Sequence, residues 1–257
     1  MEALDYDKIL QRIIDIGEEM IVCGAEVSRV EDSIDRMCTS YGADHSRVNV
    51  FIITSNIQVT IEAPDGRIIT QIRRILRNDV NFDRLDYLND LSRYICMNTP
   101  DYPEITKKLE GVMNRKKQHP LLKFIGAVMV AAGFTVFFGG TWLDGIAAGI
   151  MGIIIVFMEL LLVSREKNQI VYNFIVSVVA GFSALFMVGL GLGENSDLIM
   201  IGGIMLLIPG IAMTNAIRDM LIGDIAAGLL RLVNSILIAA AIACGFAFSI
   251  IVSGGVL

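Results

Sequence analysis

Between Pro209 and Asn234 the chain sets polar and charged side chains into an otherwise aliphatic stretch: Thr214, Asn215, Arg218, Asp219, Asp224, Arg231 and Asn234. Guanidinium groups such as those of Arg218 and Arg231 hold small carboxylates through charge-assisted hydrogen bonds. Asp219 and Asp224 are suited to take up a proton or to face an ammonium group. Pro209-Gly210 removes one backbone hydrogen bond and loosens the next turn, which predicts a kink or an unwound turn. Carbonyls freed in this way survive at membrane depth only against protein or a water-filled cavity. A charge at bilayer centre costs roughly 2.5–3.5 kcal/mol, which marks such residues as functional candidates. Arg218 and Asp219 also fit a plain place at the cytoplasmic interface. Arg231 fits it less well, standing about two turns into an apolar run.

Other residues join this set from elsewhere. Glu159 falls about one turn inside the expected cytoplasmic edge of another apolar segment. Desolvation raises a carboxyl pKa and a nearby Arg lowers it, so Glu159 suits a proton carrier and equally a structural partner of an Arg. Asn173 and Ser177, one helical turn apart, add hydrogen-bonding groups. Near the N-terminus runs Gly24-Ala25-Glu26-Val27-Ser28-Arg29-Val30-Glu31-Asp32, dense in carboxylates. Held in one cleft, Glu26, Glu31 and Asp32 could do acid–base work. A solvated helix face on which Arg29 neighbours Glu26 or Glu31 is the simpler reading.

Several chemistries are disfavoured. Cys23, Cys38, Cys96 and Cys244 form no CxxC pair and read as small buried side chains in a reducing compartment. His45 and His119 lie far apart, which argues against a zinc or Ser-His-Asp site. No glycine-rich phosphate loop occurs, and Gly181-Phe182-Ser183-Ala184-Leu185 fails the GxSxG pattern. Neither a metal nor another cofactor is expected. No basic stripe with interleaved aromatics points to nucleic acid. The start, Met1-Glu2-Ala3-Leu4-Asp5, lacks the apolar core of a signal peptide, so none is expected.

The elements that must position these residues follow from charge and periodicity. Residues 1–123 carry 17 Lys/Arg and 20 Asp/Glu, whereas residues 124–257 carry only four and seven. The expected organisation is a small α+β domain over 1–118, facing the cytoplasm, before a helical polytopic membrane domain over 119–257. In the first part, Ile9, Ile13, Ile16 and Met20 form one helical stripe. Val27, Val30, Ile34, Met37 and Tyr41 form a second after a break at Gly24, and Gly42 stops it. Val48 to Thr54, the alternating Ile57, Val59 and Ile61, and Ile68, Thr70 and Ile72 beyond Pro64-Asp65-Gly66 predict a three-stranded meander. Phe82, Leu85, Leu88, Leu91 and Ile95 return to helical spacing, and Pro103 opens a last amphipathic helix.

Five apolar segments, at about 121–139, 143–163, 170–192, 198–217 and 225–252, approach the roughly 20 residues that cross a bilayer. Lys107, Lys108, Arg115, Lys116, Lys117 and Lys123 precede the first; Arg165 and Lys167 fill the second break and Arg218 the fourth. The first and third breaks and the C-terminus have no Lys or Arg, which predicts a cytoplasmic N-terminal domain and an outward C-terminus. Gly145-xxx-Gly149 and other span glycines read as close helix contacts. Ile-Ala-Ala-Gly occurs at 146–149 and at 225–228, each time just after an Asp, a pattern open to chance or to an inverted repeat.

Two strings resemble the threonine/serine exporter (ThrE) family: Gly24-Ala25-Glu26-x-x-Arg29-Val30-Glu31, and Pro209-Gly210-Ile211-x-x-Thr214-Asn215-Ala216-Ile217-Arg218-Asp219-x-x-x-Gly223-Asp224, continuing to Gly228-Leu229-x-Arg231. The resemblance covers nearly the whole chain and is similar in particular to the larger component of split systems. It implies export of small hydrophilic carboxylates, amino acids such as threonine and serine or a dicarboxylate such as succinate, coupled to the proton gradient. It also implies a separate small membrane subunit that completes the transporter. Family members often carry His or another residue where Cys23 stands, so that position lends no support to a site in the first domain. With the exporter reading, Thr214, Asn215, Arg218, Arg231, Asn234 and Asn173 are the substrate-binding candidates, and Glu159, Asp219 and Asp224 the proton-coupling ones. A membrane-tethered enzyme built on the N-terminal carboxylates and a passive channel are the competing readings.

Overall fold

The computed structural model describes residues 5–53, 55–76, 80–115, 119–162, 166 and 168–254. Met1 to Leu4, Thr54, Lys116, Lys117, Arg165 and Lys167, which entered the signal-peptide, strand and orientation readings, lie outside the described residues. The chain divides into two compact units: Met1–Lys116 with Ala212–Leu232, and Lys117–Ile211 with Val233–Leu257. The first unit therefore takes in a stretch, 212–232, that sequence reasoning assigned to the membrane half.

In the first unit, α1 (Tyr6–Val22) and α2 (Val27–Ser40) precede a meander of β1 (Asn49–Ile53), β2 (Asn56–Glu62) and β3 (Ile68–Arg74). Helices α3 (Phe82–Asn98) and α4 (Tyr102–Met113) follow. The sheet is antiparallel in the order β1-β2-β3, with Val59 paired to Val50 on one side and to Gln71 on the other. Period two on β2 sends Ile57, Val59 and Ile61 inward. There they meet the helical stripes, in which Ile13, Ile34, Met37, Leu88, Ile95 and Ile105 are all essentially inaccessible to solvent. Each such side chain contributes about 1.5–3 kcal/mol through burial. Polar caps start the helices: Asp5 accepts from the Lys8 N–H, Asn81 from that of Arg84 and Asp101 from that of Glu104. Asp15 ties α1 to β3 through Arg73 at 2.9 Å. A short 3-10 turn at His45–Arg47, which the sequence did not suggest, leads into β1.

In the second unit, α5 (Pro120–Phe137), α6 (Trp142–Leu162), α7 (Gln169–Gly189) and the later part of α10 (Ile225–Val252) are the long apolar helices. Among the described residues four helices are long and apolar enough to cross a membrane. A fifth span results if α8 (Ser196–Leu207) and α9 (Gly210–Ile222) count as one, since these are bent by 55° where Pro209 interrupts them. The kink expected at Pro209-Gly210 is thus a full break.

Lipid gives helices no hydrophobic reason to associate, so their packing depends on close approach. The glycines supply it. A Cβ on Gly152 would stand 2.9 Å from the Ala127 carbonyl oxygen of α5, one on Gly202 would stand 2.5 Å from that of Ala131, and one on Gly245 would stand 2.7 Å from that of Phe174. Gly145 and Gly149 likewise rest against Val136 and Val128 of α5.

At one end of this unit Asp144, fully buried in the first turn of α6, binds the loop between α7 and α8. Its Oδ1 accepts the Glu194 and Asn195 N–H groups at 2.7 and 2.9 Å, and its Oδ2 accepts the Thr141 N–H and hydroxyl at 2.9 Å. Removing a buried, fully bonded carboxylate leaves several donors unsatisfied at about 1–3 kcal/mol each. Asp144→Ala is therefore expected to lower the thermal midpoint of the detergent-solubilised protein by many degrees. A thermal ramp read by intrinsic fluorescence, with Asp144→Asn as the milder comparison, checks this.

Candidate functional site

The candidate site is built on a helical hairpin of the first unit. Helix α9 ends at Ile222, Gly223 turns the chain at φ +115°, and α10 starts at Ile225. That φ is one that L side chains avoid, which explains a glycine at the turn. The Asp224 N–H closes the turn on the Asp219 carbonyl at 2.9 Å. One turn into α10, Gly228 lets the two helices touch: a Cβ there would stand 2.6 Å from the Ala216 carbonyl oxygen and 2.9 Å from the Met220 nitrogen. With the backbones this close, Arg231 of α10 reaches Asp219 of α9, Nη1 to Oδ2, at 3.2 Å. Asp219 is fully buried, and the Arg231 side chain is nearly so. Ala227 packs into the same core as α1–α4 and the sheet.

The N-terminal start of α2 meets this hairpin. Gly24, at φ +96°, ends the turn after α1 and leaves its carbonyl to accept from Asn215 Nδ2 at 3.3 Å. Glu26 occupies the N-cap position of α2 in extended geometry, yet its side chain does not cap the helix. Its Oε1 instead accepts from Arg218 Nη1 at 2.8 Å. Glu31, further along α2, accepts the Ile52 N–H of β1 at 3.3 Å. Burial, with the negative charges of Asp224 and Asp219 adding to it, raises the Glu31 carboxyl from an ordinary 4.5 to about 7. Two carboxylate oxygens of the cluster, Glu26 Oε2 and Asp219 Oδ1, are buried without a hydrogen-bond partner among the described residues. Native proteins rarely leave such atoms unsatisfied away from functional sites.

The structure thus brings together Gly24, Glu26, Glu31, Asn215, Arg218, Asp219, Asp224 and Arg231. Other candidates lie apart from them in role. Arg29 is exposed and does not neighbour Glu26 in an ion pair; Arg218 takes that place. Asp32 pairs with Arg36 one turn on along α2, on an exposed face. Thr214 is exposed on α9, and Asn234 is exposed on α10, three residues past Arg231. In the second unit, Glu159 pairs with Lys123 of α5 rather than with an Arg. Asn173 is buried and gives its amide N–H to the Gln169 carbonyl of its own helix at 2.7 Å. Ser177, also buried, has an unpartnered hydroxyl among the described residues.

Sequence reasoning did not find the pairing of Glu26 with Arg218, separated by 192 residues. The signal that could have found it was the presence of two specific strings, one around each member of the pair. Asp144 was also missed as a tether, although Thr141-x-x-Asp144 has the spacing of a helix-start motif.

Several apolar helices packed through glycine, together with a broken one, make this a multi-pass membrane protein. The family model described as "Putative threonine/serine exporter" (ThrE) matches residues 11–252, and the chain belongs to that family. The chain is also 23% identical over 209 residues to "Probable succinate transporter subunit YjjP" of Klebsiella aerogenes, a match covering 81% of this chain and 80% of the relative. No solved structure matches the chain.

Proposed function

We propose that this chain is one subunit of an exporter that moves small hydrophilic carboxylates, threonine- or serine-like amino acids or dicarboxylates such as succinate, out of the cell in a process driven by the proton-motive force. Membership of an exporter family and similarity to a protein named as a probable succinate transporter subunit support the reading. The observation that carries it is the cluster on the α9–α10 hairpin, where two guanidinium groups and buried, incompletely bonded carboxylates meet. A substrate carboxylate competes with Glu26 for Arg218 and with Asp219 for Arg231, through the same charge-assisted geometry. Asn215 and Thr214 supply further hydrogen bonds to the substrate, and Asn234 and Asn173 are substrate-binding candidates of the second unit. Asp219, Asp224 and Glu159 are the carboxylates available to face the substrate ammonium or to pass on the coupling proton.

The same reading gives the α+β fold a cytoplasmic position and the C-terminus an outward one, with a small membrane subunit inserted alongside. A reporter fused to the C-terminus tests the orientation; cytoplasmic signal contradicts it. Transport is tested in cells expressing the chain from its native locus, preloaded with labelled succinate or threonine. Uphill efflux that collapses on adding a protonophore is the expected result. Efflux indifferent to the protonophore contradicts proton coupling, and retention of both labels contradicts the substrate class.

A further inference from the structure

We propose that Glu31, held in one cluster with Asp219 and Asp224 of the helical hairpin, is the residue that takes up the coupling proton. The inference rests on the exporter reading and deepens it. It moves a coupling step from the membrane helices to α2 of the N-terminal fold.

The argument is one of donors and acceptors. Four carboxylates, Glu26, Glu31, Asp219 and Asp224, meet two guanidinium groups in this cluster. Both cations are engaged, Arg218 by Glu26 and Arg231 by Asp219. Among the described residues no cation pairs with Glu31. The groups that face it are Asp224 from the hairpin turn, Asp219 from α9 and the Ile52 N–H from β1. Asp219 in turn faces Glu26, Asp224, Arg231 and the Val27 N–H, and its Oδ1 still has no hydrogen-bond partner despite complete burial. The cluster is therefore short of both positive charge and donors.

A metal ion would supply charge, but no group of three or more His, Cys, Asp or Glu side chains suited to a metal occurs among the described residues. A proton supplies both needs at once. Protonated Glu31 carries no charge against Asp219 and Asp224, and its O–H adds a donor where acceptors outnumber donors. The carboxyl's rise to about 7 makes this proton exchangeable near neutral pH. Nothing covalent is required: a carboxylate binds a proton and releases it. Ionised Glu31 repels the two aspartates and loosens the seat of the hairpin on α2, and protonation restores that seat. An incoming substrate carboxylate at Arg231 adds negative charge to the same cluster, which links its occupancy to that of the proton.

The test uses the full chain expressed from its native locus, so that any partner accompanies it. Two transport modes are measured across about pH 5 to 8: uphill efflux driven by the proton gradient, and substrate-for-substrate exchange without one. For Glu31→Gln, exchange is expected to persist while uphill efflux falls at least about tenfold and loses its pH dependence. Uphill efflux with the parent pH profile overturns the proposal. So does loss of both modes in a properly inserted protein, which would make Glu31 merely structural.

A second readout separates this proposal from the exporter reading. Backbone hydrogen exchange over residues 212–232 is followed against pH in the purified full chain. The parent protein is expected to change protection around pH 7, near the raised Glu31 value, and Glu31→Gln to show no such change. Identical profiles overturn the role of Glu31, whereas absence of succinate and threonine transport by the parent alone removes only the exporter reading. If Glu31→Gln does not insert, Glu31→Asp is measured in the same way: a shifted midpoint supports the proposal and an unshifted one overturns it.

Discussion

Arg231→Ala is expected to abolish efflux while the protein still inserts, and to destabilise the first unit by about 3–5 kcal/mol. The size follows from what the substitution leaves behind. Asp219 has no solvent exposure, and Arg231 is its ion-pair partner at 3.2 Å. Without it, a carboxylate that already has one unpartnered oxygen becomes a buried, uncompensated charge. Removing that charge as well separates the two effects. The double variant Arg231→Ala/Asp219→Ala is expected to recover most of the stability, because the penalty belongs to the orphaned ion, and to recover none of the efflux. Thermal unfolding and labelled-substrate efflux on the four proteins of this cycle provide the comparison. Equal loss of stability in the single and double variants would show that the pair acts through packing.

Gly228→Val is expected to be the most damaging single change on the hairpin. Even a methyl group would press within 2.6 Å of the Ala216 carbonyl oxygen, 2.9 Å of the Met220 nitrogen and 2.5 Å of Met220 Cγ. A flexible side chain can move aside, but two of these contacts are backbone, so α9 and α10 must separate. Overpacking of this kind costs about 1–3 kcal/mol where side chains absorb it, and more where backbones must shift. Separation also stretches the Arg231–Asp219 pair, so efflux is expected to fall with stability. Protease sensitivity within 212–232 reports the separation directly. Gly228→Ala should show the same defect in smaller degree, and normal sensitivity in both variants would contradict the close crossing.

The elements of the N-terminal fold were legible because each obeys a local rule. The alternation of Ile57, Val59 and Ile61, the helix break at Gly24, the stop at Gly42 and Pro103 at the start of the last helix each fix their segment with little help from elsewhere. The break at Pro209 was legible for the same reason. The site was legible only in pieces. Arg218, Asp219 and Arg231 stood out as charges in an apolar stretch, and Glu26 and Glu31 as an acidic run, but nothing local says that these pieces meet. Their meeting depends on Gly228 and Gly223 folding the hairpin and on Gly24 turning the chain into α2. Apolar character assigned residues 212–232 to the membrane half, and composition alone could not tell that this stretch also groups with the first unit, Ala227 joining its core. Glu159 carried two readings, proton carrier or structural partner of an Arg, and nothing local named Lys123 as the cation beside it.

The claim beneath these expectations is that the charged cluster borders water that a small acid can enter. Thr214, exposed on α9 one residue before Asn215, is the place to ask. In a full-length Thr214→Cys protein with Cys244→Ala, labelling by a membrane-impermeant thiol reagent is measured in open membrane vesicles, with and without succinate or threonine. Rapid labelling that either substrate slows is the predicted result. A thiol that the reagent never reaches, or one whose labelling neither substrate changes, would contradict the account.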